Sequence, residues 1–289
     1  MFENIYSPVE KVRHDRLSQL WIKRDDLIDP YISGNKWRKL KYILKHAAEQ
    51  HKDHLVTFGG AYSNHLVATA AAAARSGLRS TAFVRGEAVE NEMLLLCRLY
   101  GMQLVFTDRT AYKEKHMLFH KHFGDDQGAY FIDEGGAGAE AVLGCAEIIS
   151  ELPDGITHLF CAAGTGTTAA GLLKGIKELD SNIILHVVPV LKGGDFISEE
   201  ILKYAGPSAQ LIVHTDYHFG GYAKTPPELI SFMKSFIQNT GILIDPIYTS
   251  KLFYAIDDLS AQSKLASGDK IIALHTGGLL GLFGKKDLF

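Results

Sequence analysis

The chain has 289 residues, of which 46% are hydrophobic and 22% are charged, as in ordinary globular proteins. The net charge is −3, which gives no electrostatic case for binding nucleic acid. No apolar run is long enough to span a bilayer and the N-terminus does not resemble a signal peptide, so we predict no membrane partner. Three scattered cysteines without a C-x-x-C pair indicate free thiols and a cytoplasmic location.

Short apolar segments alternate along the chain with amphipathic segments, which predicts strands that alternate with helices. The predicted strands are 20–23, 54–58, 81–84, 103–106, 129–132, 158–161, 183–190, 211–214 and 270–275. The predicted helices follow the turns at 33–35 and 61–64, and also cover segments near 90–100, 112–122, 139–150, 227–239 and 249–264; a further helix follows the loop after 158–161 and ends at Leu179. This order indicates mostly parallel α/β sheets, and the length suits one large domain or two smaller domains, one inserted in the other.

Lys36 lies at the start of the first predicted helix. Ser33, Gly34 and Asn35 form a turn that suits a helix start, and apolar residues then recur at helical spacing from Trp37 onward. The positive end of the helix dipole disfavours a further positive charge there, and a dry site would also lower the pKa of the lysine. A neutral amine of this kind is what Schiff-base chemistry needs. The alternative is an ordinary solvated lysine, because basic residues are frequent in the same stretch.

A loop rich in glycine and threonine follows the predicted strand at 158–161. Its members are Gly164, Thr165, Gly166, Thr167 and Thr168. Such a loop directs backbone N–H groups at one point next to a helix dipole, and it therefore predicts a phosphate site. The spacing also fits the dinucleotide fingerprint of a nicotinamide oxidoreductase, but the next strand ends without the expected acidic residue. In the third alternative, the loop is a tight turn that binds nothing.

A second glycine-rich turn, at 59–65, contains Ser63, Asn64 and His65 at the start of a helix. Backbone amides and short polar side chains at a helix start suit a carboxylate, so we predict substrate binding there. In the alternative, Ser63 or Asn64 serves only as the N-cap of the helix.

Two further motifs lie in the last part of the chain. Tyr248 precedes a predicted helix whose dipole would favour the phenolate anion, so it could pass protons. Most tyrosines at such positions only pack and form hydrogen bonds. The strand at 270–275 runs into Thr276 and two glycines, at the end of the sheet where ligands bind α/β proteins.

Histidines 116, 120 and 122 give a candidate metal site, because positions four apart share one face of a helix. Such histidines are often solvated, and no acidic or cysteine partner is apparent nearby in the sequence. We therefore predict no metal for His116, His120 and His122.

Together the motifs resemble the pyridoxal-phosphate (PLP) enzymes of the tryptophan-synthase-β type. Within these, they are similar to the group of 1-aminocyclopropane-1-carboxylate (ACC) deaminases and D-cysteine desulfhydrases. The matching segments are 22–27, 34–40, 59–65, 164–168, 245–251 and 275–278. The resemblance implies an α/β fold of two domains, each with a mostly parallel twisted sheet flanked by helices. It also implies a homodimer, with residues 1–45 and 150–289 in a large cofactor-binding domain and residues 46–149 in a smaller inserted domain.

The resemblance also assigns roles to individual residues. Lys36 would hold PLP as a Schiff base, Lys39 and the 164–168 loop would bind its phosphate, and Asn64 would contact its ring hydroxyl. The residues implied as catalytic are Lys36, Ser63, Tyr222 and Tyr248. Those implied as cofactor ligands are Lys36, Lys39, Asn64, Gly164, Thr165, Gly166, Thr167, Thr168, Thr249 and Thr276. Those implied for the amino acid substrate are Ser63, Asn64 and His65.

The residue after Tyr248 distinguishes the two activities of this group. ACC deaminases carry a glutamate there, whereas Thr249 is similar to the desulfhydrases, and Thr276 also matches them. A carboxylate keeps the pyridine nitrogen protonated and makes the ring a strong electron sink, which a hydroxyl cannot do. Opening a cyclopropane that has no α-hydrogen should need the strong sink. Loss of a thiolate needs less, because the leaving group carries electrons away.

The predicted function is therefore PLP-dependent β-elimination, with D-cysteine converted to pyruvate, sulfide and ammonia. In the expected reaction the substrate amine displaces Lys36, then Lys36 or a nearby hydroxyl removes the α-proton, and sulfide leaves. The alternative within the group is ACC deamination to 2-oxobutyrate and ammonia. An alternative of a different class is a non-catalytic ligand-binding relative that has kept the fold.

Overall fold

The chain forms two β-sheets, and the computed structural model describes residues 5–289. Within those residues the strands are β1 (Val9–Lys11), β2 (Leu20–Lys23), β3 (His54–Gly60), β4 (Arg79–Arg85), β5 (Gln103–Thr107), β6 (Ala129–Ile132), β7 (His158–Ala163), β8 (Ile184–Pro189), β9 (Leu211–Val213) and β10 (Ile271–Leu274). The helices are α1 (Asn35–Glu49), α2 (Asn64–Arg75), α3 (Glu92–Leu99), α4 (Lys115–Phe123), α5 (Ala139–Ala146), α6 (Thr167–Glu178), α7 (Asp195–Ala205), α8 (Pro227–Thr240) and α9 (Thr249–Ala261). In this described part of the chain, no helix is both long enough and apolar enough to cross a bilayer.

The larger sheet has the strand order β1-β2-β10-β7-β8-β9, and the smaller sheet has the order β5-β4-β3-β6. Neighbouring strands are parallel, except that β1 runs antiparallel to β2 at one edge of the larger sheet. The predicted α/β fold with two mostly parallel sheets is therefore confirmed. The sequence analysis missed β1, because its three residues carry no alternation of apolar and polar side chains.

The strands of the smaller sheet all lie within 54–132, and the larger sheet takes its strands from both sides of that range. Helix α1 packs against the smaller sheet and its helices, since Leu40 shares a core with Leu55 and Ala68. The range 46–149 for the inserted domain stays a prediction, and its first boundary falls inside α1.

The carboxyl ends of three adjacent strands bring the sequence motifs together. In the order β2-β10-β7, β2 leads toward the lysine turn, β10 leads into Thr276 and β7 leads into the 164–168 loop. The amide of Asn35 donates to the Thr276 carbonyl oxygen at 3.3 Å, so the lysine turn lies against the end of β10. Gly34 allows this approach, because its φ is +58° and an added Cβ would lie 1.9 Å from that oxygen.

Three histidines form a hydrogen-bonded row across β7, β8 and the end of β9. His158 Nδ1 and His186 Nε2 are 2.8 Å apart, and so are His186 Nδ1 and His214 Nε2. The His186 ring stacks on Phe160 with ring centres 4.2 Å apart. Burial, followed by the two neighbouring imidazoles, lowers the pKa of His186 to about 3. Burial also lowers the pKa of His158 and of His214, so the row consists of neutral rings at pH 7.

We expect the free energy of unfolding to fall as the pH falls from about 6.5 toward 3. Below about pH 6.5 the unfolded chain binds a proton at His186, whereas the folded ring binds one only near pH 3. This one group contributes about 1.4 kcal/mol per pH unit in that window. Urea unfolding between pH 7 and pH 5 should therefore show a smaller loss of stability in His186→Gln than in the wild type. Equal slopes in the two proteins would contradict the shifted pKa.

Candidate active site

Lys36 is the second residue of α1 and borders a cavity at the carboxyl ends of β7 and β10. Its Nζ donates to the carbonyl oxygen of Gly135 at 3.3 Å. Burial of the amine among protein atoms, followed by the nearby charge of Lys39, holds the pKa of Lys36 well below its usual value of 10.5. This environment favours the neutral amine although the Lys36 residue is partly exposed, and the role of Lys36 stays a prediction.

Lys39 reaches the same acceptor one helical turn later, with its Nζ 3.0 Å from the Gly135 oxygen. Burial lowers the pKa of Lys39 as well. Gly135 follows β6 in a 3-10 turn and has φ +70°, a conformation that favours glycine. The sequence analysis missed Gly135. The signal that could have found it is the glycine-rich run at 135–138 directly after a strand.

The 164–168 loop leads from β7 into α6. Gly166 is the N-cap residue of α6 with φ +82°, and Thr167 and Thr168 are buried in the first turn. The side-chain amide of Asn35 donates to Thr168 Oγ1 at 2.9 Å and joins the loop to the lysine helix. The loop residues that border the cavity are Gly164, Thr165, Gly166 and Thr168. The N–H groups at this helix start make this end of the cavity suitable for a phosphate.

Two side chains of the 59–65 turn, Ser63 and Asn64, present polar groups near the start of α2. Ser63 is the N-cap residue of α2, but its hydroxyl makes no capping hydrogen bond. Asn64 Oδ1 is buried and has no hydrogen-bond partner among residues 5–289. Ser63 thus occupies the N-cap position without a capping hydrogen bond, and the binding of a ligand by Ser63 or Asn64 stays a prediction.

His65 lies in a buried hydrogen-bond network of the smaller sheet. Its Nε2 is 2.7 Å from Thr57 Oγ1, and that hydroxyl donates in turn to the carbonyl oxygen of Ile132 at 3.1 Å. Burial, followed by the nearby lysine charges, holds the pKa of His65 well below 6.5, so the ring is neutral. The substrate contact of His65 stays a prediction.

Tyr248 and Tyr222 lie next to each other, with ring centres 6.2 Å apart and ring planes at 73°. Tyr248 borders the cavity, and a Cβ added to Gly164 would lie 3.2 Å from its phenol oxygen. Burial, followed by the Tyr222 phenol, raises the pKa of Tyr248 well above 10. Burial also raises the pKa of Tyr222, although 46% of this residue is exposed. Both phenols therefore stay protonated at neutral pH, and the expectation that the helix start favours the Tyr248 anion was wrong.

The two threonines assigned to the cofactor have different surroundings. Thr249 is fully buried, and its Oγ1 lies 2.7 Å from Asp245 Oδ1 and accepts the Asp245 amide at 2.7 Å. The Asp245 carboxylate also accepts the amides of Tyr248 and Thr249 at the start of α9. Thr276 borders the cavity. Thr249 therefore stabilises the start of its helix, and the contact of either hydroxyl with a cofactor stays a prediction.

The residues present fit pyridoxal phosphate, which carries an aldehyde, a ring hydroxyl and a phosphate on a pyridine ring. Lys36 offers a neutral amine to the aldehyde, and the start of α6 offers N–H groups and hydroxyls to the phosphate. The unpaired Asn64 Oδ1 suits a hydroxyl donor. Gly278 lets the backbone approach Asn64 closely, since an added Cβ would lie 2.9 Å from its Nδ2.

The histidines of α4 lie against aromatic rings, two of them on rings of the smaller sheet. His116 stacks on Phe131 with ring centres 4.3 Å apart, and His122 lies edge-on to Phe83 at 5.3 Å. His120 lies edge-on to its neighbour Phe119. Across the ranges that the structure covers, no three His, Cys, Asp or Glu side chains are grouped so that they could hold a metal ion.

Proteins similar to this chain carry the names of two related activities. A protein of Thermotoga maritima named "Putative 1-aminocyclopropane-1-carboxylate deaminase" is 32% identical over 286 residues, which covers 92% of this chain and 90% of that protein. The mitochondrial "Bifunctional D-cysteine desulfhydrase/1-aminocyclopropane-1-carboxylate deaminase" of Arabidopsis thaliana is 30% identical over 93% of this chain and 75% of that protein. A crystal structure described as an ACC deaminase homologue matches with a TM-score of 0.87 and 28% identity, over 99% of this chain and 94% of that chain.

The family model described as "Pyridoxal-phosphate dependent enzyme" matches residues 4–277. That range contains Lys36, the 164–168 loop, Tyr248 and Thr276, which the fold brings to one cavity. The geometry of the cavity and the family match therefore agree on the cofactor. This chain belongs to the pyridoxal-phosphate dependent enzymes, and it is similar to relatives named for ACC deamination and D-cysteine desulfhydration.

Proposed function

We propose that this enzyme catalyses β-elimination from a small amino acid, and that D-cysteine is the substrate its site suits best. One D-cysteine and one water yield one pyruvate, one sulfide and one ammonia. The observation that supports the proposal is that the described residues bordering the cavity around Lys36 include two lysines and no carboxylate. We also propose that the enzyme acts as a cytoplasmic homodimer, as the sequence predicted.

The cavity around Lys36 is bordered by two lysines and by no carboxylate among the described residues. Asp245, the carboxylate that precedes α9, is occupied by the Thr249 hydroxyl and by backbone amides. In a cavity without a carboxylate, the pyridine nitrogen of PLP would stay unprotonated, because a hydroxyl does not stabilise a positive charge as a carboxylate does. Such a ring suits a reaction in which the leaving group carries the electrons away, as sulfide does.

The side chains of the site have separate tasks in this proposal. PLP, when bound, supplies an electron sink for the electrons of the substrate Cα. Lys36 Nζ accepts the Cα proton, which a lysine of lowered pKa can do at neutral pH. Tyr248, which keeps its proton, donates it to the sulfur that leaves Cβ. Ser63 and the N-terminus of α2 bind the substrate carboxylate.

Product analysis tests the proposal. Purified, PLP-loaded protein is offered D-cysteine and ACC in separate assays, with L-cysteine as the stereochemical comparison. We expect equal amounts of pyruvate and sulfide from D-cysteine, and a kcat/KM at least about 100-fold above that for ACC, a barrier difference of about 2.7 kcal/mol. The Lys36→Ala variant measures the uncatalysed background. Formation of 2-oxobutyrate from ACC at a comparable rate would overturn the choice of substrate.

ACC deamination is the second candidate, and the names of the relatives support it. It requires that ring opening proceed without a carboxylate in the cavity, since Thr249 stands where the ACC deaminases carry glutamate. A non-catalytic ligand-binding relative is the third candidate. The low pKa of Lys36 and the unpaired Asn64 Oδ1 argue against it, because a protein that only binds a ligand needs no neutral amine.

A further inference from the structure

Tyr222 belongs to residues 214–224, a segment that begins with a 3-10 turn at 215–218 and that we call the tyrosine loop. Phe219, Gly220, Gly221 and Ala223 have φ values of +53°, +89°, +123° and +56°. Residues other than glycine rarely adopt such φ values, yet Phe219 and Ala223 both carry a Cβ. A backbone of this kind persists only where the surrounding structure holds it in place.

Lys251 of α9 supports this backbone, because its side chain is fully buried and its Nζ contacts the tyrosine loop. Its Nζ donates to the carbonyl oxygens of His218 at 2.8 Å, Gly221 at 2.9 Å and Val190 at 3.2 Å. A lysine ammonium has three donors, and each of them has one acceptor here. Two of the acceptors lie on either side of Phe219 and Gly220, and the Gly221 carbonyl directly precedes Tyr222.

The third acceptor connects Lys251 to the larger sheet. Val190 follows β8, and its amide donates to the Ala163 carbonyl oxygen at 3.0 Å, next to the start of the 164–168 loop. Lys251 itself lies one helical turn after Tyr248. Burial lowers the pKa of Lys251 to about 8, so the ammonium form with all three donors predominates at neutral pH. The side chain therefore joins the sheet, α9 and the tyrosine loop at one buried point.

We propose that Lys251 is a positioning residue that anchors the tyrosine loop and thereby holds Tyr222 against Tyr248 at the cavity. The proposal rests on the proposed function only in taking Tyr222 as a member of the active site. Lys251 acts through the backbone of the loop, and it needs no contact with substrate or cofactor. Without Lys251, the loop would lose the two hydrogen bonds at His218 and Gly221 that support its positive φ values.

Amide hydrogen exchange tests the anchoring without any activity assay. The probes are the amides of Gly221 and Lys224, which donate to the same two carbonyl groups of His218 and Gly221 that Lys251 binds. In Lys251→Met we expect these amides to exchange at least about tenfold faster than in the wild type, while amides of β3 keep their rates. Lys224→Met, which replaces an exposed lysine of the same loop, is the matched control and should leave the Gly221 amide unchanged. Unchanged exchange in Lys251→Met would overturn the proposal.

A double-mutant cycle tests whether Lys251 acts through Tyr222. We expect Lys251→Met and Tyr222→Phe each to lower kcat about tenfold or more. The double variant should then lie within about twofold of the slower single variant, because both changes remove the same contribution. If the two reductions in kcat multiply in the double variant, Lys251 acts independently of Tyr222, and its proposed role in positioning Tyr222 is wrong.

Failure of the proposed function gives a different pattern. If the wild type converts neither D-cysteine nor ACC, the proposed function is wrong, while the exchange rates still show whether Lys251 anchors the tyrosine loop.

If Lys251→Met does not fold, Gly221→Ala replaces it. The φ of +123° strains an alanine there, but its Cβ would lie 3.6 Å from the nearest atom, an ordinary contact, so only the loop is disturbed. Exchange at Lys224 should rise and kcat should fall, and the absence of both changes would contradict the proposal.

Discussion

Replacing Lys36 with alanine should abolish turnover by PLP-loaded protein and remove the visible absorbance of the lysine–cofactor linkage. We expect kcat to fall about ten-thousandfold or more, because the substitution removes the amine that both attaches the cofactor and transfers the proton. Lys36 borders the cavity, and its low pKa makes its amine both a nucleophile and a base at neutral pH. The measurements are an absorbance spectrum and the rate of keto-acid formation.

Two other lysines of α1 serve as controls for that variant. Lys45→Ala removes an exposed lysine of the same helix, and it should keep the wild-type spectrum and rate. Lys39→Ala removes the second amine at the Gly135 carbonyl, and it should weaken cofactor binding while the linkage absorbance persists at saturating PLP. Full turnover by Lys36→Ala would mean that another amine performs the chemistry, and the assignment of Lys36 would be wrong.

Replacing Gly34 with alanine should destabilise the protein by about 3 kcal/mol or more and prevent it from retaining PLP. The added Cβ would lie 1.9 Å from the Thr276 carbonyl oxygen and 2.2 Å from its carbon, and φ at this position is +58°. The lysine turn would have to separate from the end of β10, which would move Lys36 away from the 164–168 loop. Urea unfolding of the cofactor-free protein measures the first effect, and a PLP titration measures the second.

Gly77→Ala is the matched control for the glycine variant. Gly77 has a similar φ of +67°, but nothing lies within 4 Å of a Cβ added there. Alanine at this position should cost only the backbone strain, about 1 kcal/mol, and leave PLP binding unchanged. Equal destabilisation by Gly34→Ala and Gly77→Ala would show that the contact with Thr276 contributes nothing beyond the backbone conformation.

The amino-acid sequence by itself determined the fold class and most of the chemical groups of the site. The alternation of strand and helix patterns predicted mostly parallel sheets, because both periods are properties of short stretches of chain, and the division into two sheets was implied only by the family resemblance. Lys36, Ser63 and the 164–168 loop were recognised because each occupies the start of a helix, which a few consecutive residues define. Parallel sheets then bring such motifs together at their carboxyl ends, so a common site followed from the fold class.

Only the tertiary structure decided what each group experiences at the site. The Gly135 carbonyl oxygen accepts hydrogen bonds from the amines of Lys36 and Lys39, which lie 99 and 96 residues away in sequence. Patterns of neighbouring residues cannot predict such contacts. Burial by distant segments raised the pKa of Tyr248, although its place before a helix had suggested the opposite direction. The three acceptors of Lys251 lie 30 to 61 residues away in sequence. Desolvation and long-range hydrogen bonds depend on which segments pack together. Periodicity and motif spacing describe only residues that are close in sequence, so they could not predict these effects.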